Sequence, residues 1–372
     1  MKFLFSVILI INLHNNSFSL NSADSTDWQL KPSFKYDLLC FVNILTGDEF
    51  YLTYYKSEYD RFKEQLTPEV IDALKGLKKK IKDDEGTIIS AWLCLYFSST
   101  EDENIEEMSA TLDNPEAMKV NFEKTPYYSE KSWTLFLSVI PELKKILALL
   151  KEKNFPDYWE ENILPKVQSK ISEFKSEVSN NNVIGIVEEH LGFKLASDRI
   201  TVYMLFYSQP HGIKITGTRF LTDIAWPFSI LIRTASHEMM HPPFDLKNDT
   251  VFIETLSKLK QDKFMMDKVL NHNPSFGYNS FEGFVEEDCV QALDQVINEK
   301  LGIARDSRKR WKENDDGMHV LAVALYNIMK EENYNEEKMI YRDFIIRYIE
   351  NGKLLNGNIE KIYNEFYNPS DR

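Results

Sequence analysis

Residues 224–241 have the sequence IAWPFSILIRTASHEMMH, and the fold that we expect for the surrounding chain depends on this stretch. Pro227 suits the first turn of a helix, where its missing N–H is not needed. Apolar side chains then recur at three- and four-residue steps, as one buried helix face requires: Phe228, Leu231, Ile232, Ala235 and Met239. Because Pro242 and Pro243 follow directly, we expect the helix to end at His241, with this histidine in its last turn.

The end of this predicted helix carries the pattern His237-Glu238-Met239-Met240-His241. Two histidines four residues apart project from one helix face, close enough for both imidazoles to bind one zinc ion. A glutamate beside the first histidine can accept a proton from a zinc-activated water molecule. The spacing therefore predicts one Zn2+ ion with His237 and His241 as ligands and Glu238 as general base.

Two runs rich in β-branched and aromatic residues precede the helix, RITVYMLFY at 199–207 and IKITGTRFL at 213–221. Such runs are typical of strands. The short segment between them contains Pro210 and Gly212, which favour a turn. We therefore expect a hairpin or two adjacent strands next to the histidine helix.

The strands, the helix and the His-Glu-x-x-His pattern together resemble the zincin metallopeptidases over about residues 199–300. The resemblance implies a zincin-like core in which a small β-sheet lies over the motif helix and its edge strand pairs with extended substrate. It also implies hydrolysis of peptide bonds. The longer zincin pattern, with a Gly and a third His soon after the second histidine, is absent. The chain is thus more similar to the gluzincins, of an exported bacterial type, in which a glutamate on a later helix completes the site.

The later helix is predicted at 280–302, where Glu282, Glu286 and Glu287 are all candidates for the third ligand. Glu282 stands in Glu-Gly-Phe-Val, which looks like the Glu-Gly-Phe-Ala signature of some gluzincin aminopeptidases. We favour Glu287, because Gln291 one turn later could orient a carboxylate ligand. Glu286 is a close alternative. In a different interpretation Glu287, Gln291 and Asp294 form a solvated helix face that binds nothing.

Hydrolysis of an amide needs a donor that stabilises the developing oxyanion, besides the metal itself. The candidates are Tyr341, His319 and His211, and the sequence does not separate them. Tyr341 and His319 lie in periodic C-terminal segments, where a helix residue with a satisfied polar tip is the commoner outcome. His211 stands between Pro210 and Gly212, as a turn residue does.

The amino terminus predicts export. Met1 and Lys2 precede an apolar run over residues 3–13 and a cleavage region near Ser17-Phe18-Ser19, as in a secretory signal peptide. The run is too short for an ordinary membrane helix, so we expect a secreted or periplasmic protein with no stable membrane anchor. The cysteines are too few for a disulfide scaffold, although one disulfide is possible: Cys40, Cys94 and Cys289.

A net charge of −14 argues against nucleic acid as a partner, because phosphate contacts need concentrated Lys and Arg. A peptide or protein substrate remains, and the oligomeric state is left open. The predicted organisation is a signal peptide at 1–19, a mainly helical N-terminal region at 27–182 and a zincin-like catalytic domain at 183–372. The expected class is α+β, mainly α, with strand-like runs within 38–52 and helices elsewhere: 68–81, 87–97, 131–153, 158–178, 318–330, 336–350 and 357–367.

Three functions are compatible with the sequence. The first is an exported zinc metallopeptidase. The second is a zinc-binding protein that hydrolyses another bond or is inactive, and the third is a metal-free exported binding protein in which the histidine pattern is incidental. An intact Glu238 favours a catalytic protein over an inactive one, because a protein that only holds zinc has no need of a general base.

Overall fold

The computed structural model describes residues 25–241, 243–246, 248–276, 278–334 and 339–368. Of these residues, 65% are helical and 6% lie in strands, which confirms a mainly helical protein with a small sheet. The predicted signal peptide lies outside the described residues. Within them, none of the helices combines the length and the apolar character that crossing a bilayer demands. The three cysteines are buried and free, so the possible disulfide does not form.

The sheet contains four strands in the order β1-β2-β4-β3, and only β3 and β4 run antiparallel to each other. Their bounds are β1 (Asp27–Pro32), β2 (Arg199–Leu205), β3 (Ile213–Lys214) and β4 (Arg219–Asp223). The predicted strand at 213–221 is therefore two strands. They form a hairpin that turns at Gly217, whose φ of +69° suits glycine. Of the two predicted arrangements, a hairpin or adjacent strands, the second is the one observed for the run at 199–207, because β2 lies next to β4. The two strands are parallel.

Nine α-helices of the described chain lie between β1 and residue 182. They are α1 (Phe34–Leu45), α2 (Glu49–Lys63), α3 (Pro68–Lys78), α4 (Ile89–Phe97), α5 (Ile105–Asp113), α6 (Glu116–Phe122), α7 (Glu130–Glu152), α8 (Phe155–Asn162) and α9 (Leu164–Val178). The prediction of strands within 38–52 is wrong, because Ser33 and Asp48 cap α1 and α2 and the apolar run between them is a buried helix. The predicted helix at 158–178 is broken before Pro165, which occupies the first turn of α9.

Nine further α-helices lie around and after the sheet within the described ranges. They are α10 (Val183–Leu191), α11 (Phe228–Glu238), α12 (Thr250–Ser257), α13 (Lys263–Asn271), α14 (Phe281–Lys300), α15 (Ser307–Glu313), α16 (Val320–Glu331), α17 (Tyr341–Glu350) and α18 (Asn358–Tyr367). Helix α11 ends at Glu238, three residues earlier than predicted, and His241 lies in the following turn. A proline disfavours the helical backbone conformation at the residue that precedes it. The sequence His241-Pro242 therefore accounts for the early end of the helix.

The N-terminal region shares the sheet with the C-terminal region, because β1 pairs with β2. Helix α1 adds a second link. The carboxylate of Asp37 accepts hydrogen bonds from the backbone N–H of Phe206 (2.8 Å) and Tyr207 (3.0 Å) and from Trp159 Nε1 (2.9 Å). These bonds fix the chain as it leaves β2 toward Gly212, which lies over α11. The boundary at residue 182 stays a prediction.

Candidate metal centre

Helices α11 and α14 pack against each other and bring together three side chains that the sequence singles out. His237 Nε2 and His241 Nε2 lie 3.1 Å apart. Glu287 Oε1 is 3.7 Å from His237 Nε2, and its Oε2 is 3.4 Å from His241 Nε2. Two imidazoles and a carboxylate therefore converge on one point, although His241 comes from the turn after α11.

The three spacings suit a tetrahedral metal ion. Zinc bonds of about 2.0–2.1 Å to nitrogen and oxygen give a tetrahedron with edges of about 3.3–3.4 Å. The two nitrogens are 3.1 Å apart, and each has one of the two Glu287 oxygens at 3.4 or 3.7 Å; with a single ligand atom from each residue, the three atoms lie within 4.8 Å of one another. Three protein ligands also leave the fourth position to substrate or water, as in catalytic zinc sites. The donor set and its geometry fit Zn2+.

The far side of each imidazole faces a carboxylate. His237 Nδ1 is 3.8 Å from Asp294 Oδ2, and His241 Nδ1 is 3.5 Å from Glu286 Oε1. A carboxylate at Nδ1 holds the proton on that nitrogen and leaves Nε2 free to bind a metal. Both imidazoles are thus oriented with Nε2 toward the common point.

Hydrogen bonds on α14 hold the Glu287 carboxylate in place. Gln291 Nε2 donates to Glu287 Oε1 at 2.8 Å, which is the bond that the one-turn spacing predicts. Gln291 Oε1 in turn accepts from Trp311 Nε1 at 3.2 Å and from Arg310 at 3.3 Å. The amide is therefore fixed on both sides, and the interpretation of Glu287, Gln291 and Asp294 as a solvated face is wrong, because all three are buried.

The charges of the site shift the pKa values of its groups. Burial alone would lower the pKa of His241, but the carboxylates of Glu286 and Glu287 raise it to about 10. Burial alone would likewise raise the pKa of Glu287, but the histidines hold it well below its usual range. The surroundings of the imidazoles are thus strongly negative and favour a cation between them.

The other two candidate glutamates lie elsewhere. Glu282 is exposed at the start of α14 and pairs with Lys260 at 3.2 Å, so it is not part of the site. Glu286 touches the outer face of His241 and orients it rather than joining the convergent set. Neighbouring positions on one helix thus face opposite sides of the same imidazole.

Two of the three predicted oxyanion donors are committed elsewhere. The Tyr341 hydroxyl is fully buried and donates to the backbone oxygen of Cys289 at 2.8 Å. His319 is enclosed between Asp288 (2.6 Å) and Asp315 (2.9 Å). His211 lies nearer the site, beside Gly212, and its Nε2 bonds the hydroxyl of Tyr51 at 3.0 Å.

Tyr278 is a residue that sequence reasoning missed. It lies in the loop before α14 with a φ of +57°, and 36% of its surface is exposed. Although the residue as a whole is exposed, loss of solvent at the phenol and the negative charges of Glu287 and Glu238 raise its pKa well above the usual value, so the hydroxyl group is close enough to interact with both carboxylates. A tyrosine in a loop of irregular backbone has no periodic pattern that could have indicated it.

Glu238 lines a cavity of about 250 Å³ beside the convergent ligands and is 8% exposed. Gly212 forms the opposite wall. A Cβ at this position would lie 2.5 Å from Thr234 Cγ2 and 3.7 Å from Glu238 Oε1, so any side chain there would press on α11 one turn before the glutamate. Glycine therefore keeps the space next to Glu238 open.

No protein-family model matches the chain, and neither a curated protein nor a solved structure is significantly similar to it. The functional assignment accordingly depends on the geometry of the site.

The buried pair of His319 and Asp288 should make the stability of the metal-free protein depend on pH. Burial alone would lower the pKa of His319, but Asp288 raises it to about 10. A histidine whose pKa is raised by folding contributes its full stabilisation at pH values below its pKa in the unfolded chain, about 6.5. This contribution is lost as the pH rises through the folded-state pKa of about 10. We expect His319→Gln to lower the free energy of unfolding by about 3–5 kcal/mol at pH 7 and by less at pH 10.

Urea unfolding of wild type and variant at pH 7, 8, 9 and 10 measures this difference. The double variant His319→Gln with Asp288→Asn removes both charges, so its own free energy of unfolding should lack the decline that the pair gives to wild type between pH 7 and pH 10. A wild-type advantage that is constant across the series would contradict a charged pair.

Proposed function

We propose that this chain is an exported zinc-dependent metallopeptidase of gluzincin type, with a zincin-like core formed by the sheet, α11 and α14. The observation that carries the proposal is the convergence of His237 Nε2, His241 Nε2 and Glu287 beside the buried carboxylate of Glu238. When bound, a zinc ion would act as a Lewis acid toward a substrate carbonyl and lower the pKa of a water molecule.

Glu238 would accept the proton of the attacking water and pass it to the leaving amine. Its position suits both transfers, because it follows the first histidine directly on α11 and borders the cavity. Burial next to the wall at Gly212 excludes bulk water from the carboxylate, which strengthens its interactions with the reacting groups.

Tyr278 would donate to the oxyanion that develops on the substrate carbonyl. A donor at this position acts only if it remains protonated near neutral pH, and its surroundings ensure this. It replaces the three donors that the sequence offered, of which Tyr341 and His319 are fully buried in other hydrogen bonds.

An extended substrate would lie along β3. This strand forms one edge of the described sheet, and it begins one residue after Gly212, next to Glu238. Pairing with a sheet edge fixes the backbone of a peptide without demanding particular side chains. The proposal therefore names a peptide or protein as substrate.

The ligand assignment predicts a ranking of zinc affinities. We expect His237→Ala, His241→Ala and Glu287→Ala each to weaken zinc binding by more than about 100-fold, because loss even of a group that only orients a ligand costs about 10–100-fold. Glu286→Ala should have an effect of that smaller size. Glu282→Ala, with an exposed side chain on the same helix, is the matched control and should bind zinc like wild type.

Competition with a fluorescent zinc chelator, together with elemental analysis of the purified proteins, gives these affinities. A stronger effect of Glu286→Ala than of Glu287→Ala would exchange their roles, and a wild-type protein that binds no zinc would refute the proposed function.

The general base predicts that binding and hydrolysis can be separated. Glu238→Gln should retain stoichiometric zinc but lose peptide hydrolysis by at least about 100-fold, since general-base catalysis contributes about 10²–10⁴-fold. Cleavage of a proteome-derived peptide pool, followed by mass spectrometry, measures the activity. Full activity in this variant would remove Glu238 from the mechanism, and zinc binding without any cleavage by wild type would favour a zinc protein that is not a peptidase.

Tyr278→Phe should lower kcat by about 10²–10³-fold with little change in zinc content, because removal of one oxyanion donor has an effect of this size. Tyr54→Phe, an exposed position on α2 outside the cavity lining, is the control and should leave kcat unchanged. An equal kcat in wild type and Tyr278→Phe would exclude the phenol as the donor.

A further inference from the structure

Three arginines line the cavity that borders the metal centre: Arg233, Arg305 and Arg310. Arg233 lies on α11, one turn before His237. Arg310 lies on α15, and Arg305 lies in the segment between α14 and α15. The backbone oxygen of Arg305 accepts a hydrogen bond of 2.9 Å from Gln295 Nε2, so α14 fixes the position of this segment.

Arg310 belongs to the framework of the site. It is 6% exposed, and it pairs with Asp294 Oδ2 at 2.6 Å and bonds Gln295 Oε1 at 3.0 Å. Its Nε is buried without a hydrogen-bond partner among the described residues. A buried donor of this kind is costly unless something satisfies it.

The other two guanidinium groups have no anionic partner in the described part of the chain. Arg233 donates a long hydrogen bond of 3.3 Å to the backbone oxygen of Ile303, and neither it nor Arg305 is in an ion pair. Burial lowers the pKa of Arg233, with attraction to Asp294 opposing this shift and repulsion from Arg310 adding to it. Arg305 is an exposed residue, but partial loss of solvent at its guanidinium group and repulsion from Arg310 and Arg233 lower its pKa against weaker attraction to Asp294 and Asp315.

The carboxylates that line the cavity do not neutralise the end of the cavity where Arg233, Arg305 and Arg310 lie. Asp294 is engaged by Arg310 and by Ser236, and Glu287 faces the two metal-binding histidines. Glu238 borders the wall at Gly212. Two positive charges and one unsatisfied donor therefore remain at the arginine end, beside the place where the substrate carbonyl would be bound.

We propose that the arginine end of the cavity, formed by Arg233, Arg305 and Arg310, binds a carboxylate of the substrate close to the scissile bond. This inference rests on the proposed function of the metal centre. The carboxylate is either a C-terminus or an Asp or Glu side chain, since all three offer the planar pair of oxygens that guanidinium groups bind best.

The distance along α11 restricts where this carboxylate lies in the peptide. His237 follows Arg233 by four positions, and this step corresponds to about 6 Å along a helix axis. An extended peptide advances about 3.3–3.6 Å per residue. The recognised group therefore belongs to a residue within about two positions of the bond that is cleaved.

Monohydroxamates of dicarboxylic acids test the site directly, because the hydroxamate chelates zinc and the free carboxylate can reach the arginines. Zinc-loaded full-length protein is titrated calorimetrically with such compounds of two to five intervening carbons and with the matched terminal amides. At one or more lengths the acid should bind at least about tenfold more tightly than the amide, as a charge-assisted bidentate contact provides. Rising salt should reduce this preference.

The variants Arg305→Gln and Arg233→Gln should each remove most of the preference for the acid while keeping the affinity for the amide. Arg305 is exposed, so its substitution leaves the fold intact even if that of Arg233 does not. Arg199→Gln removes an exposed arginine paired with Asp27, outside the cavity lining, and should bind both compounds like wild type.

Equal binding of acid and amide at every length by zinc-loaded protein overturns the carboxylate site and leaves the metallopeptidase untouched. A protein that holds no zinc overturns both proposals.

Cleavage of peptide pools with free and with amidated C-termini distinguishes the two sources of the carboxylate. Loss of cleavage on amidation assigns the C-terminus, whereas retained cleavage next to Asp or Glu assigns a side chain. Cleavage that shows neither preference also overturns the carboxylate site.

Discussion

The burial of three carboxylates on one helix is the constraint around which the C-terminal half is arranged. Glu287, Asp288 and Asp294 of α14 are at most 4% exposed, and an unpaired buried carboxylate costs several kcal/mol. Different neighbours compensate each of them. The Asp288 carboxylate pairs with His319 and accepts hydrogen bonds from backbone N–H groups in the first turn of α16. The Asp294 carboxylate accepts hydrogen bonds from Arg310 and Asn298. Glu287 meets the two histidines of the α11 region, so the packing of four segments follows from charges on a single helix.

Glu287 differs from its neighbours in what balances its charge. Asp294 pairs with an arginine, and Asp288 is bound by one imidazole and by backbone N–H groups, whereas Glu287 faces two imidazoles whose Nε2 atoms lie next to each other. Each of these imidazoles also faces another carboxylate at Nδ1. Under the proposed function, a divalent cation between the three side chains would balance these carboxylates better than protons on the imidazoles do.

Local sequence patterns predicted the helices in which apolar residues recur at helical spacing because one face is buried, such as α14 and most of α11. They also separated Glu287 from Glu286, because only Glu287 has Gln291 one turn later. The pairing of β1 with β2 joins segments more than 160 residues apart, and no local pattern indicates it. The prediction for residues 38–52 failed because complete burial, rather than strand pairing, accounts for its apolar run. Tyr278 and the cavity arginines come from separate segments, and only the tertiary fold brings them together.

The arginine end of the cavity also has to work against the charge of the whole chain. A net charge of −14 repels anionic peptides at a distance, but at physiological salt this repulsion is screened beyond about 8 Å. An acidic substrate would therefore gain nothing from long-range attraction and would be selected only on contact. Contact would be favourable because Arg310 is buried and Arg233 is half-buried, and a charge-assisted hydrogen bond is worth more there than on the open surface. Discrimination for a carboxylate should then appear in the lifetime of the complex rather than in its rate of formation.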